Sequence, residues 1–128
     1  MLKSEKEKQR LIHNLEVEIY CYENDVRKAV NSVTQKMSDI WARYRYELSK
    51  IQLEAFYKYD DALDRIKQRA RTIDFRSQAE IRTSVSALAS KGRTIKVTDL
   101  TKDELVEARK LANKIIDERI EKYRAAVL

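Results

Sequence analysis

The chain has 128 residues, of which 38% are charged and 43% are apolar, with one glycine, no proline and a net charge of +6 at pH 7. This length fits one domain, residues 1–128, and the scarcity of glycine and proline excludes a turn-rich β fold and favours long helices. The all-α class follows from this composition. No apolar run could cross a membrane or form a signal-peptide core, so we expect the protein in the cytoplasm, or inside a virion if it is viral. Cys21 is the only cysteine, which excludes an internal disulfide bond.

A very long N-terminal helix is predicted from about residue 5 to about residue 71. A capping box, Ser4 with Glu7, marks its start. Its apolar row has a mean spacing of about 3.6 residues, as in a straight helix. An unbroken helix would extend on the order of 100 Å, so the chain either folds back near residue 31 or 60 or needs a second subunit. The row consists of Leu15, Ile19, Tyr22, Val26, Val30, Val33, Met37, Ile40, Tyr44, Leu48, Ile51, Ala55, Tyr59, Ala62, Ile66, Ala70 and Ile73.

A second apolar patch lies on the opposite side of this helix. Tyr46, Leu53 and Tyr57 are spaced at i, i+7 and i+11, and Phe56 lies along their border. The patch indicates either burial on two sides in the middle of a bundle or an exposed protein interface for an oligomer. We therefore predict these four side chains as a candidate protein interface.

The middle of the chain predicts a shorter helix over about 78–90. Ser77 and Glu80 form the capping box at its start. Gly92 is expected to end it, because glycine adopts the left-handed conformation of a helix C-terminus at little cost.

A C-terminal helix is predicted over about 102–126 from the capping box of Thr101 and Glu104. Before it, residues 93–98 alternate in polarity and are β-branched at four of six positions, which predicts a short extended segment. Without a partner strand in the chain, this segment is either a connector or an edge for another chain. The helix carries an apolar stripe at or beside Leu105, Ala108, Ala112, Ile115, Ile116, Arg119, Ile120, Tyr123 and Val127.

All of the excess positive charge lies between Arg65 and Thr98. This segment contains nine Lys or Arg residues and only two acidic residues, Asp74 and Glu80. The remaining residues, 18 basic and 19 acidic, are balanced. A field this concentrated is typical of a surface that binds a polyanion, most often nucleic acid. The alternative is an ordinary solvated surface in which long stems cover the apolar row. The candidate nucleic-acid-binding side chains are Arg65, Lys67, Arg69, Arg71, Arg76, Arg82, Lys91, Arg93 and Lys96.

Motifs for sequence-specific DNA recognition or catalysis are not evident. We find no helix-turn-helix or zinc-finger pattern, so binding would depend on phosphate contacts. His13 is the only histidine, and Arg10 stands where a di-metal bundle would have a carboxylate. Asp60, Asp61 and Asp64 form one carboxylate cluster without a second. We therefore predict no catalytic residues, no metal, no cofactor and no small-molecule substrate.

Paired tyrosines recur in the segments EVEIYCYENDVRKAV and RYRYELSKIQLEAFYKY. In this respect, and as a short Pro-free helical chain, the sequence resembles the small helical-bundle proteins of archaeal viruses and phages. The resemblance implies a virion component or a small regulator that docks on nucleoprotein machinery, and it transfers no functional residue. The resulting hypothesis is a non-enzymatic, self-associating helical bundle whose basic surface engages nucleic acid or a nucleoprotein complex. The alternative is a structural assembly protein, such as a virion or filament subunit, that acts through helix–helix self-association.

Overall fold

A computed structural model describes residues 3–26, 37–70, 85, 87–91, 93 and 99–128. Within these ranges the regular elements are helical, which confirms the predicted all-α helical bundle. They are α1 (Lys3–Cys21), a π-helical turn (Tyr22–Val26), α2 (Met37–Lys58), α3 (Ala62–Ala70) and α4 (Lys102–Val127). Residues 85 and 87–89 are also helical. Because α1 already includes Lys3, it begins just before the predicted cap at Ser4.

The helix predicted over about 5–71, with its apolar row, is divided among α1, α2 and α3 and is not continuous. The first two of these helices run antiparallel. The Tyr57 hydroxyl donates a hydrogen bond to Glu16 and the Tyr46 hydroxyl donates one to Glu23, each at 2.8 Å. A later residue of α2 thus pairs with an earlier residue of α1, which shows that the two helices run in opposite directions. This agrees with the first of the two alternatives, in which the chain folds back, and the turn suggested near residue 31 lies in 27–36, outside the described ranges.

A π-helical turn continues α1 directly, over Tyr22–Val26. The Asn24 side-chain amide donates to the Tyr20 carbonyl oxygen at 2.8 Å, which satisfies an acceptor four residues earlier in the chain. At the same place the Tyr22 ring stacks on Tyr46 of α2, with a centroid separation of 4.1 Å. The wider turn thus coincides with an aromatic stack on α2.

The C-terminal helix α4 runs parallel to α2. Arg43 donates to the Asn113 side-chain oxygen at 3.1 Å, and the Tyr59 hydroxyl donates to the Leu128 carbonyl oxygen at 2.8 Å. The two pairs are separated by 70 and 69 residues, so the helices keep one register over this length. A parallel pair of neighbours requires a long crossover, and the chain between α2 and α4 must therefore return along the bundle.

The core forms where α2 meets both α1 and α4. On α2, the predicted row is buried at Ile40, Tyr44, Leu48, Ile51 and Ala55. On α4, the predicted stripe is buried at Ala108, Ala112, Ile116, Ile120, Tyr123 and Val127. These side chains belong to one apolar cluster that also contains Ile12 of α1, so the periodicity of the sequence correctly identifies the packed faces.

The interruption between α2 and α3 is a bend and not a reversal. Tyr59 has no regular structure, and Asp60 and Asp61 form a turn where the sequence suggested one. Beyond it, the Lys67 ammonium lies 3.9 Å from the Glu7 carboxylate near the start of α1. Because Glu7 precedes the part of α1 that faces α2, α3 continues alongside α1 in the same direction as α2.

The end of the middle helix differs from the expectation. The left-handed backbone is found at Lys91, with φ of 58°, one residue before Gly92. This conformation costs a non-glycine residue roughly 1–2 kcal/mol, so neighbouring contacts must hold it. Gly92, residues 94–98 of the predicted extended segment and the predicted cap at Ser77 all lie outside the described ranges.

The close packing of α4 gives a direct test of this architecture. Ala112 is fully buried, so Ala112→Leu should overpack the core and lower the free energy of unfolding by about 1–3 kcal/mol, measured by urea denaturation. Ala125→Leu is the matched control because Ala125 is exposed on the same helix. Equal stability of the two variants would contradict the described packing.

Candidate nucleic-acid interface

The structure describes the side chains of four of the nine predicted nucleic-acid-binding residues: Arg65, Lys67, Lys91 and Arg93. Arg65 and Lys67 belong to α3, whereas Lys91 and Arg93 precede α4. The remaining predicted side chains, Arg69, Arg71, Arg76, Arg82 and Lys96, lie outside the described residues.

Arg65 is held against its own helix and the preceding bend. Its Nε atom lies 3.0 Å from the Asp61 carboxylate, and its guanidinium lies 3.9 Å from the centroid of the Tyr59 ring. Both contacts leave the side chain 39% exposed. Exposed ion pairs of this kind contribute at most about 1 kcal/mol, so a phosphate can compete with Asp61 for the guanidinium.

Lys67 is more accessible than Arg65. Its side chain is 64% exposed, and its ammonium approaches Glu7 only to 3.9 Å. At that distance, in water, the attraction between the charges is of order 1 kcal/mol. The ammonium can therefore bind a phosphate without giving up a strong internal partner.

A turn anchored in the core presents Lys91 and Arg93. Ser90 is fully buried, and its hydroxyl lies 3.1 Å from the Ala87 carbonyl oxygen and 2.9 Å from that of Arg93. Having one hydrogen, the hydroxyl donates to one of these oxygens at a time. The Arg93 Nε atom donates back to the Ser90 carbonyl oxygen at 2.9 Å. These contacts hold the turn while both cationic side chains remain exposed.

Glu104 links this turn to the start of α4. One carboxylate oxygen accepts from the Thr101 backbone N–H at 3.0 Å, and Thr101 Oγ1 accepts from the Glu104 N–H at 3.2 Å. The predicted capping box is therefore present. The other carboxylate oxygen accepts a hydrogen bond from the Arg93 guanidinium. The Thr101 backbone hydrogen bond, with a smaller contribution from Arg93, lowers the pKa of Glu104 below its usual value.

A shallow cleft of about 430 Å³ separates the turn from the first turns of α4. Its lining includes two cations and three carboxylates, so a phosphate placed inside it would meet net repulsion. We assign this cleft no anion-binding role. The lining residues are Ala89, Lys91, Arg93, Thr101, Asp103, Glu104 and Glu107.

Three of the four side chains of the predicted protein interface pack against other residues of the same chain. Tyr46 stacks on Tyr22, Phe56 is only 5% exposed, and Leu53 packs against the core. For these three side chains, the structure agrees with the alternative of burial on two sides of α2. Tyr57 differs, because it remains 69% exposed.

The side chains considered for catalysis or metal binding are dispersed. His13 is exposed on α1, and Asp60, Asp61 and Asp64 are exposed around the bend. Among the residues that the structure describes, no group of three His, Cys, Asp or Glu side chains could hold a metal ion. Over the same residues, no helix has the length and apolarity needed to cross a membrane.

Comparisons with known proteins assign no family to the chain. No protein-family model matches the sequence, and no curated protein or solved structure matches it significantly.

The lowered pKa of Glu104 makes the stability of the protein depend on pH. Since the carboxylate titrates lower in the folded than in the unfolded state, its contribution is present above about pH 4.3 and is lost as the pH falls through the folded-state pKa. Glu104→Gln keeps a cap acceptor without the charge, so its melting temperature should decline less than that of the unmodified protein between about pH 5 and pH 3. Glu107→Gln, one turn later, is the control, and its melting temperature should fall with pH as much as that of the unmodified protein. The same decline in all three proteins would contradict this role.

Proposed function

We propose that this protein binds nucleic acid, or a nucleoprotein complex, without catalysing a reaction. The observation that carries the proposal is the distribution of charge: residues 65–98 contain nine basic and two acidic residues, whereas the remaining residues are balanced. A local excess of this size attracts a polyanion at long range and offers many separate sites for phosphates.

The topology supports this role for the segment. Residues 65–98 begin on α3 and continue into the crossover that the parallel arrangement of α2 and α4 requires. Its described apolar residues Val85 and Ala89 belong to the core cluster, so the segment is anchored to the bundle. The described cationic side chains of the segment reach the surface, with Lys67 64% and Arg93 60% exposed.

Internal carboxylates moderate the strength of such binding. Arg65, Lys67 and Arg93 each contact a carboxylate, from Asp61, Glu7 and Glu104 respectively. A polyanion would have to replace these ion pairs, and ion pairs at a protein surface are weak. We therefore expect binding of moderate affinity with strong salt dependence and little dependence on base sequence.

A second candidate function is structural assembly through helix–helix self-association. Its support is the exposure of Val17, Tyr20 and Tyr57 on α1 and α2. In the setting implied by the resemblance to viral helical-bundle proteins, the first function would belong to a small regulator and the second to a virion or filament subunit.

Charge reversal tests the proposed binding. Changing Arg69, Arg71, Arg76 and Arg82 to Glu should abolish binding to duplex DNA, and a milder change of the same residues to Gln should lower the salt slope by about 0.9 for each phosphate that is no longer neutralised. Fluorescence anisotropy at several salt concentrations gives both quantities. The control reverses four exposed cations elsewhere: Lys6, Arg10, Lys110 and Lys114. The proposal is wrong if the two sets of substitutions weaken binding equally, or if the unmodified protein binds neither duplex DNA nor single-stranded DNA and RNA.

The pairing of Arg93 with Glu104 gives a second, opposite expectation. Glu104→Gln should release Arg93 for a phosphate and tighten binding by a few-fold, about what one exposed ion pair is worth. Glu107→Gln raises the net charge equally without altering the pairing of Arg93. Titration of both variants against the same DNA separates the two effects, and equal tightening would show that only net charge matters.

A further inference from the structure

We propose that the face formed by Glu16, Val17, Tyr20, Glu23 and Tyr57, here called the tyrosine face, docks the basic segment 65–98 of a second copy of this chain. Exposure of apolar groups is the first observation. Five large hydrophobic side chains are exposed in the described part of the chain, and three of them are Val17 at 47%, Tyr20 at 67% and Tyr57 at 69%.

These three side chains lie close together. Val17 and Tyr20 are three residues apart and share one side of α1. Tyr57 of α2 lies beside them, because its hydroxyl donates a hydrogen bond to Glu16, the residue before Val17. An exposed cluster of this kind on a folded chain marks an interaction surface more often than chance exposure does.

The charge of the tyrosine face is the second observation. Residues 14–26 contain four acidic residues and no Lys or Arg. Glu16 and Glu23 are exposed and accept hydrogen bonds from Tyr57 and Tyr46, about 10 Å apart along α1. The hydrogen bond to Glu16 raises the pKa of Tyr57, so this hydroxyl stays a donor at neutral pH. The face thus pairs carboxylates with aromatic rings over about two helical turns.

Lys and Arg side chains match this combination, because their stems pack on rings while their charged ends meet carboxylates. The chain already uses this chemistry internally. Lys50 lies 4.9 Å from the centroid of the Tyr46 ring, and Lys58 and Arg65 lie 5.4 and 3.9 Å from that of Tyr59.

Charge complementarity identifies the occupant. The chain supplies its own basic partner in residues 65–98, and within one molecule Lys67 lies near Glu7, nine residues from Glu16 along α1. Lys67, a described cation of the basic segment, therefore lies away from the tyrosine face of its own chain. Docking of one on the other joins copies head to tail, in an arrangement that ends only by closing into a ring.

Association should depend on salt and on the tyrosine face. Sedimentation velocity should give an average mass above that of one chain at about 50 mM salt and the mass of one chain at about 500 mM. Val17→Lys places a cation in the face and should weaken association about tenfold. Val106→Lys is the control: it makes the same change at a valine that is 39% exposed on α4, and it should associate normally.

Cys21 supplies an independent measurement. It is the only cysteine, it is exposed, and it follows Tyr20. Its alkylation by iodoacetamide should slow as protein concentration rises at low salt, and Val17→Lys should remove that protection. A mass of one chain at low salt up to about 1 mM protein, equal behaviour of the two valine variants, or assembly without protection of Cys21 would each overturn the proposal. The proposal shares the basic segment with the proposed function, but these measurements contain no nucleic acid, so either idea can fail while the other holds.

Discussion

The structure depends on the burial of α2 from two opposite sides. On one side Arg43 and Gln52 contact Asn113 and Tyr123 of α4, and on the other side Tyr46 stacks on Tyr22 at the end of α1. A helix with one apolar face can be covered by one neighbour, whereas two faces require two. The position of α2 between α1 and α4 follows from this requirement. For the same reason, most side chains of the second apolar patch pack within the chain.

The parallel direction of α2 and α4 connects the fold to the proposed function. Arg43 pairs with Asp117 at 2.9 Å, and Gln52 donates to the Tyr123 hydroxyl at 2.9 Å, so polar contacts as well as apolar packing maintain the register of the two helices. Burial raises the pKa of Tyr123, which keeps its hydroxyl neutral between them. The basic segment lies in the chain between α2 and α4, and its described cations reach the surface, whereas Val85 and Ala89 of the same segment are buried in the core.

Local patterns in the sequence predicted the packed faces of α2 and α4, the bend at Asp60 and the cap at Thr101, because each depends on residues within one or two turns. Contacts between distant segments were not predicted. The approach of Glu104 to Arg93 and of Glu16 to Tyr57 depends on how helices are placed, and no spacing rule encodes it. The structure has a left-handed residue at Lys91, next to the hydrogen-bonded Ser90, while Gly92, where such a residue was expected, lies outside the described ranges.

The π-helical turn over Tyr22–Val26 has an evolutionary consequence. A turn of this kind accommodates one residue more than an α-helical turn, and each residue of an α-helix rotates the following side chains by about 100°. Deletion of one residue within the turn would restore regular α-helix and rotate the residues after the deletion by about 100° relative to α1, next to the stack of Tyr22 on Tyr46. Descendants of a common ancestor that lack the turn should therefore align with a one-residue gap at this position and carry compensating changes opposite it on α2.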